Sequence, residues 1–221
     1  IRQGLMLSTA SMVPIGALFI ALGTPIVALV YERGAFDSSA AQLVAALLMA
    51  YGLGMPAYLG RDVLVRVFYA LGDGTTPFRL SLAGIGLNVI FDWVLVGGPT
   101  PWGNQSPFNF GASGLVLATV AINVLTCLML LLVLKRRMPA MTLIPWGMDT
   151  TRLLLAGVLT GCIVWGMSLG VDWPLGWFGL LARVGIPSLL GLAFFGLMGS
   201  AFGVAEVREI GTMVLRRMRL R

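Results

Sequence analysis

The sequence predicts an all-α integral membrane protein of six transmembrane helices, and three observations carry that prediction. Of 221 residues, 58% are hydrophobic and only 11% are charged, against roughly a quarter charged in an average soluble domain. The mean hydropathy of +0.93 shows that the apolar excess belongs to the whole chain. Six apolar runs, at about residues 5–30, 40–60, 80–97, 111–134, 151–171 and 177–203, are each long enough to cross a hydrocarbon core of about 30 Å as a helix. None shows the alternation of a barrel strand, and lipid leaves no backbone group free, so helices are the solution that remains.

Span one carries Pro14 and Pro25, span two Pro56 and span six Pro187. Each removes a backbone donor and bends its helix. Around Pro56, the sequence YGLGMPAYLG adds Gly52, Gly54 and Gly60, the weakest helical stretch of the chain; it reads either as a hinge or as a static kink fitted to a neighbour. Between spans two and three, the stretch RDVLVRVFYALGDGTTPFRLSLAGIGLNVIFD sets charges at the ends of and within apolar segments, joined by the polar turn LGDGTTPF. An intramembrane charge costs about 2.5 kcal/mol or more, so it has a partner or a function.

The loop GGPTPWGNQSPFNF after span three reads as a Pro/Gly/Asn turn cluster with aromatic anchors, or as a plain connector. Before span five, MPAMTLIPWGMDT with Trp146 is expected along the inner interface. The tail EVREIGTMVLRRMRLR spaces Val207, Ile210, Val214 and Met218 among cations. That spacing predicts a helix resting on anionic membrane lipids.

Charge position fixes orientation better than the net charge of +6, which in a soluble chain would raise nucleic acid as a partner. With residue 1 inside, the inner side receives Arg2, Arg79, Lys135, Arg136, Arg137, Arg152, Arg208, Arg216, Arg217, Arg219 and Arg221, while the outer loops receive Arg33. The positive-inside rule therefore puts both ends of this chain in the cytoplasm.

Three constellations stand out. Asp62 and Arg66 are four apart with the acid first, one face of a helix in the favourable order for pairing, and Arg61 points about 100° away without a local partner. The cluster reads as a contact for an anionic headgroup or a gate near the inner face, or as an ion pair with arginines snorkelling to the interface. Asn88 and Asp92 share one face of span three and call for a polar cavity or an interhelical hydrogen bond; Asn123 in span four has the same two readings. On span five, Gly157 with Gly161 and Gly166 with Gly170 form small-xxx-small pairs, as do Gly199 and Gly203 on span six. Such pairs serve close helix packing or leave a smooth groove for an acyl or prenyl chain. Arg183 is expected to snorkel outward.

The sequence lacks histidine, which removes the usual metal ligand and the Ser/His and Cys/His nucleophile pairs. This argues against conventional intramembrane metalloenzyme chemistry; no metal, no cofactor and no enzymatic activity are expected. Cys127 and Cys162 fall inside spans four and five as packing residues rather than a disulfide. The chain begins at Ile1 without a signal-peptide pattern, as a later portion of a longer protein would.

At RVFYALGDGTTPF, followed by Asn88 and Asp92, the chain resembles the MurJ/MviN family of lipid II flippases, within the superfamily of MATE multidrug exporters. LVYERGAFD is similar to the family's outer turn, and ASGLVLAT to the start of its next helix. The resemblance runs in order and spacing over nearly all 221 residues and implies a two-lobe MATE-like bundle, of which these spans are helices nine to fourteen. Residues 1–137 are then the last four helices of the second lobe, and residues 138–221 two additional helices with a basic cytoplasmic tail.

The same resemblance implies alternating access in a bacterial plasma (inner) membrane, with lipid II or a similar polyprenyl-linked precursor as substrate and a separate N-terminal lobe of the same protein as partner. The polyprenyl tail would use a groove involving spans five and six. The family's essential cavity arginines lie on helices that precede this chain, so their role does not pass to Arg61 or Arg66. Other readings are a flippase for another lipid-linked saccharide, a MATE-type exporter, or a lipid-binding scaffold that transports nothing. An intramembrane transferase is disfavoured by the absent histidine and the lack of acids clustered in one span.

Overall fold

The computed structural model of the protein describes residues 1–31, 38–97, 108–138, 144–174, 176–204 and 206–207. These form six helices: α1 (Arg2–Tyr31), α2 (Ser38–Ala70), α3 (Thr75–Val96), α4 (Ala112–Arg137), α5 (Ile144–Gly170) and α6 (Trp177–Ala201). All six are long and apolar enough to cross a membrane. The expected turn at Arg33, most of the loop after span three and the tail from Arg208 onward lie outside the described residues.

The helices pack in a row. α3 lies on α4, α4 on α2, α2 on α1, and α1 on both α5 and α6, which also pack on each other. Lipid offers little hydrophobic reward for helix association, so close packing must hold this row together. Its tightest crossing is α1 on α2, where a Cβ on Gly16 would run into the Gly52 carbonyl oxygen and one on Gly52 would sit 2.8 Å from the Gly16 oxygen. Gly54 beside it faces Tyr58 and Val120. The glycines flanking Pro56 are thus contact points, and α2 runs unbroken through the proline.

Apolar residues fill the seams on either side of α1. Met6, Ala10 and Val13 meet Leu153, Ala156 and Phe195 of α5 and α6, together with Val204 and Val207. Leu5 meets Leu64 and Phe68 of α2 and Leu130, Leu131 and Leu134 of α4. Trp146 packs against both clusters. From Ile144 onward the segment expected along the inner interface forms the first turns of α5, and the Trp146 Nε1 is buried without a hydrogen-bond partner among the described residues.

Two further expectations shift at the α2–α3 junction. The apolar runs suggested an end near residue 60 and a new start near 80, but α2 continues to Ala70 and α3 begins at Thr75. Gly72, with φ of +76°, ends α2 in a Schellman motif: its amide donates to the Tyr69 carbonyl at 3.0 Å and the Asp73 amide to that of Phe68 at 2.9 Å. Asp73 then caps α3, its Oδ1 accepting the Thr75 and Thr76 amides at 3.0 Å each. The connection is so compact that Arg61 to Arg66 lie well inside a helix of 33 residues, with Arg61 about 14 Å along the axis from its end. At the same end of the bundle, Gly203 (φ +76°) closes α6 in the same way, so it is a cap rather than half of a packing pair.

Candidate functional site

The polar side chains collect on one seam. On α3, Pro77 and Gly84 are buried and Ser81, Asn88 and Asp92 half-buried, all on the face turned to α4. Phe78, Leu82, Ile85 and Val89 point outward and are 60–65% exposed. A helix in water shows the reverse arrangement, and the pattern follows from a lipid environment, where apolar groups face out and polar groups find protein partners.

At the end of the seam formed by the α2–α3 turn, Arg137 closes α4 onto that turn. Its Nη1 lies 2.7 Å from Asp73 Oδ2, its Nη2 donates to Thr76 Oγ1 at 3.2 Å, and its guanidinium carbon stands 5.6 Å from the centre of the Phe68 ring. The hydrogen bonds from the Thr76 hydroxyl and amide, then that of Thr75, with Arg137 adding its charge, hold the Asp73 carboxyl far below the usual carboxylate range. A second ionic group joins α1 to α5 at the same end: Asp149 accepts from Arg2 at 2.9 Å and from Arg152 at 3.2 Å.

Deeper in, Arg61 occupies the point where three helices meet. Its Nη1 donates to Asn123 Oδ1 on α4 at 3.0 Å and its Nη2 to Ser81 Oγ on α3 at 3.3 Å. This reverses the sequence expectation. Asp62 and Arg66, four apart and in favourable order, are exposed and form no ion pair with each other, whereas Arg61, expected to lack a partner, is the bound member of the cluster. Spacing measures only neighbours on one helix; the acceptors for Arg61 come from two others.

Toward the opposite end of α3, Asn88 Nδ2 donates to Asp92 Oδ2 at 2.7 Å. The bond lies within α3, so the expected interhelical bond is made instead by Asn123, which accepts from Arg61 and donates to the carbonyl of Thr119 at 2.8 Å. The other carboxylate oxygen of Asp92 is buried and has no hydrogen-bond partner among the described residues. Such an oxygen is costly in a low-dielectric setting and marks the position as one to test for function.

The glycines of α5 divide into two kinds. Gly157 presses on the Val13 side chain and Gly161 stands in ordinary contact with Ala17, while Gly166 and Gly170 face open space. Gly157 and Gly161 also line an apolar cavity of about 480 Å³, with Val13, Gly16 and Ala17 of α1, Gly52 and Pro56 of α2, and Cys162 and Trp165 of α5. This cavity is bounded by α1, α2 and α5, and its lining includes no residue of α6. Cys162, expected as a packing residue, is exposed at its edge; Cys127 is half-buried. Arg183 does not simply reach outward, since its Nε donates to the buried Ser168 hydroxyl of α5 at 3.2 Å.

Comparison with known proteins agrees with this architecture. The family described as "Lipid II flippase MurJ" matches residues 1–182. The probable lipid II flippase MurJ of Synechocystis sp. is 46% identical over 177 residues, covering 80% of this chain and 31% of that protein. The probable lipid II flippase MurJ of Rickettsia prowazekii is 35% identical over 96 residues, 43% of this chain and 18% of that protein. A solved structure of lipid II flippase MurJ in an inward closed conformation superposes with a TM-score of 0.67 at 25% identity, over 90% of this chain and 37% of that one. The chain spans about a third of the Synechocystis protein's length. With the family match running through α1 to α5 and the helical fold shared with a solved member, this multi-pass membrane chain belongs to the lipid II flippase MurJ family.

Proposed function

We propose that the chain is part of a flippase that moves lipid II from the inner to the outer leaflet of a bacterial plasma membrane by alternating access, working with an N-terminal lobe of the same protein. It is a transporter and carries out no covalent chemistry. Residues 1–137 belong to the second lobe, and residues 138–221 add two helices and a basic tail that faces the cytoplasm and its anionic lipids. Among the described residues α5 and α6 meet the first four helices mainly through α1, which suits that division.

The observation that carries the reading at the level of residues is Asp92, whose second carboxylate oxygen is buried without a partner on a membrane-spanning helix. Its neighbour Asn88 is assigned to the same path, as are Asp62 and Arg66, which are exposed on α2. The apolar cavity between α1, α2 and α5 is the natural place for part of a prenyl tail, since small and apolar side chains, Trp165 among them, form most of its lining.

The test uses the complete protein that contains this chain, reconstituted in proteoliposomes with fluorescent lipid II, the lipid being scored by its accessibility to an impermeant quencher. Translocation by the wild type and its loss in Asp92→Ala at equal protein content are expected. Wild-type translocation by Asp92→Ala would remove the residue from the path, and an inert wild type would remove lipid II as the substrate.

A further inference from the structure

α3 carries the Asn88–Asp92 pair but is the least enclosed helix, with only Pro77 and Gly84 buried. It lies along α4 and hardly touches α2. Arg61 crosses that gap, donating through Nη2 to Ser81 and through Nη1 to Asn123. Asn123 is buried and passes the constraint on, its Nδ2 holding the Thr119 carbonyl.

The register of the antiparallel α3–α4 pair decides what that turn of α4 faces. Gly84 sits against Ile122 and Thr126, and Gly114 against Leu95, so residues 88–92 of α3 lie beside residues 116–120 of α4. The hydrogen-bonded chain from Arg61 through Asn123 to Thr119 therefore ends next to the Asn88–Asp92 pair.

We infer that Arg61 is a positioning residue for the Asn88–Asp92 site. It pins α3 to α2 at Ser81 and fixes, through Asn123, the turn of α4 that flanks the carboxylate. Both terminal nitrogens are turned to neutral oxygens on α3 and α4, and Nε is enclosed without a hydrogen-bond partner among the described residues. Arginine suits the position because its planar fork reaches two acceptors on two helices at once, which the single ammonium of lysine does not.

The activity arm of the test rests on the proposed transport function; the structural arm does not. In the complete protein, spin labels at Val89 on α3 and Leu43 on α2, both exposed, report the distance between the outer halves of the two helices. Arg61→Gln is expected to broaden that distribution and Arg61→Lys to broaden it less, while Tyr58→Phe, which removes a hydroxyl without a partner, leaves it unchanged. In lipid II translocation per molecule, Arg61→Gln is expected to cost roughly fivefold in the wild-type background and less than about twofold in Asp92→Asn, because coupled residues are not additive. An unchanged distance distribution in Arg61→Gln, or equal losses in both backgrounds, would overturn the assignment. If the wild-type protein fails to move lipid II, the transport function falls and the label distances alone judge Arg61.

Discussion

Arg137 Nη1 stands 2.7 Å from Asp73 Oδ2, so the last turn of α4 holds the four-residue link between α2 and α3. Because the same carboxylate caps α3 through Oδ1, one acid joins three helix ends. Asp73→Ala is expected to lower the melting temperature of the detergent-solubilised complete protein, and Asp73→Asn, which keeps an acceptor, to lower it less. The folded carboxyl titrates below its unfolded value of about 3.9. Its stabilisation is therefore fully present above that value and is lost as the pH falls toward the folded one. The melting difference between wild type and Asp73→Ala should stay constant from pH 8 to about pH 5 and shrink only below about pH 4.

Replacing Asn88 by Ala removes the donor to Asp92 and leaves both carboxylate oxygens without hydrogen bonds from the described residues. A hydrogen bond to a charged group contributes about 1.5–3 kcal/mol, so a loss of roughly tenfold or more in lipid II translocation is expected. Membrane abundance, read by immunoblot, should be unchanged. A fall in abundance with normal transport per molecule would assign the pair to folding alone.

At the α1–α2 crossing, Gly52→Val drives a branched side chain into the Gly16 carbonyl, where even a Cβ stands 2.8 Å away. The expected cost is about 1–3 kcal/mol, seen as reduced accumulation and a lower unfolding midpoint. A Cβ at Gly166 meets nothing within 4 Å among the described residues, so the matching change Gly166→Val should be tolerated.

If the cavity takes part of the prenyl chain, Gly161→Leu should fill it and reduce photocrosslinking of a diazirine-bearing polyprenyl diphosphate to α5, with Gly170→Leu as the control outside the lining. Equal crosslinking in both variants would show the cavity to be a packing defect.

Orientation is tested by a cysteine at Lys135 in the complete protein. An impermeant maleimide added to intact cells should fail to label it and should label it after permeabilisation, because Lys135, Arg136 and Arg137 lie with Arg2 and Asp149 at the end of the bundle assigned to the cytoplasm. Labelling of intact cells would invert the topology.

The sequence by itself determined the fold class. Six apolar runs, prolines spaced through them and charges gathered between alternate spans leave a bundle of membrane helices as the one arrangement in which every backbone group is bonded within its own segment. It also determined where the polar residues lie along the chain, and the turn LGDGTTPF carried the family resemblance. Only the tertiary structure decided which of those residues meet. Arg61 finds Ser81 and Asn123, 20 and 62 positions away, while Asp62 and Arg66, ideally spaced, remain apart. Gly157 and Gly161 line the cavity, whereas Gly166 and Gly170, which share their spacing, do not. Periodicity reports the face of a single helix; partners depend on the order in which helices pack, and in lipid that order follows from the fit of small residues and shared hydrogen bonds, neither of which is written in one segment alone.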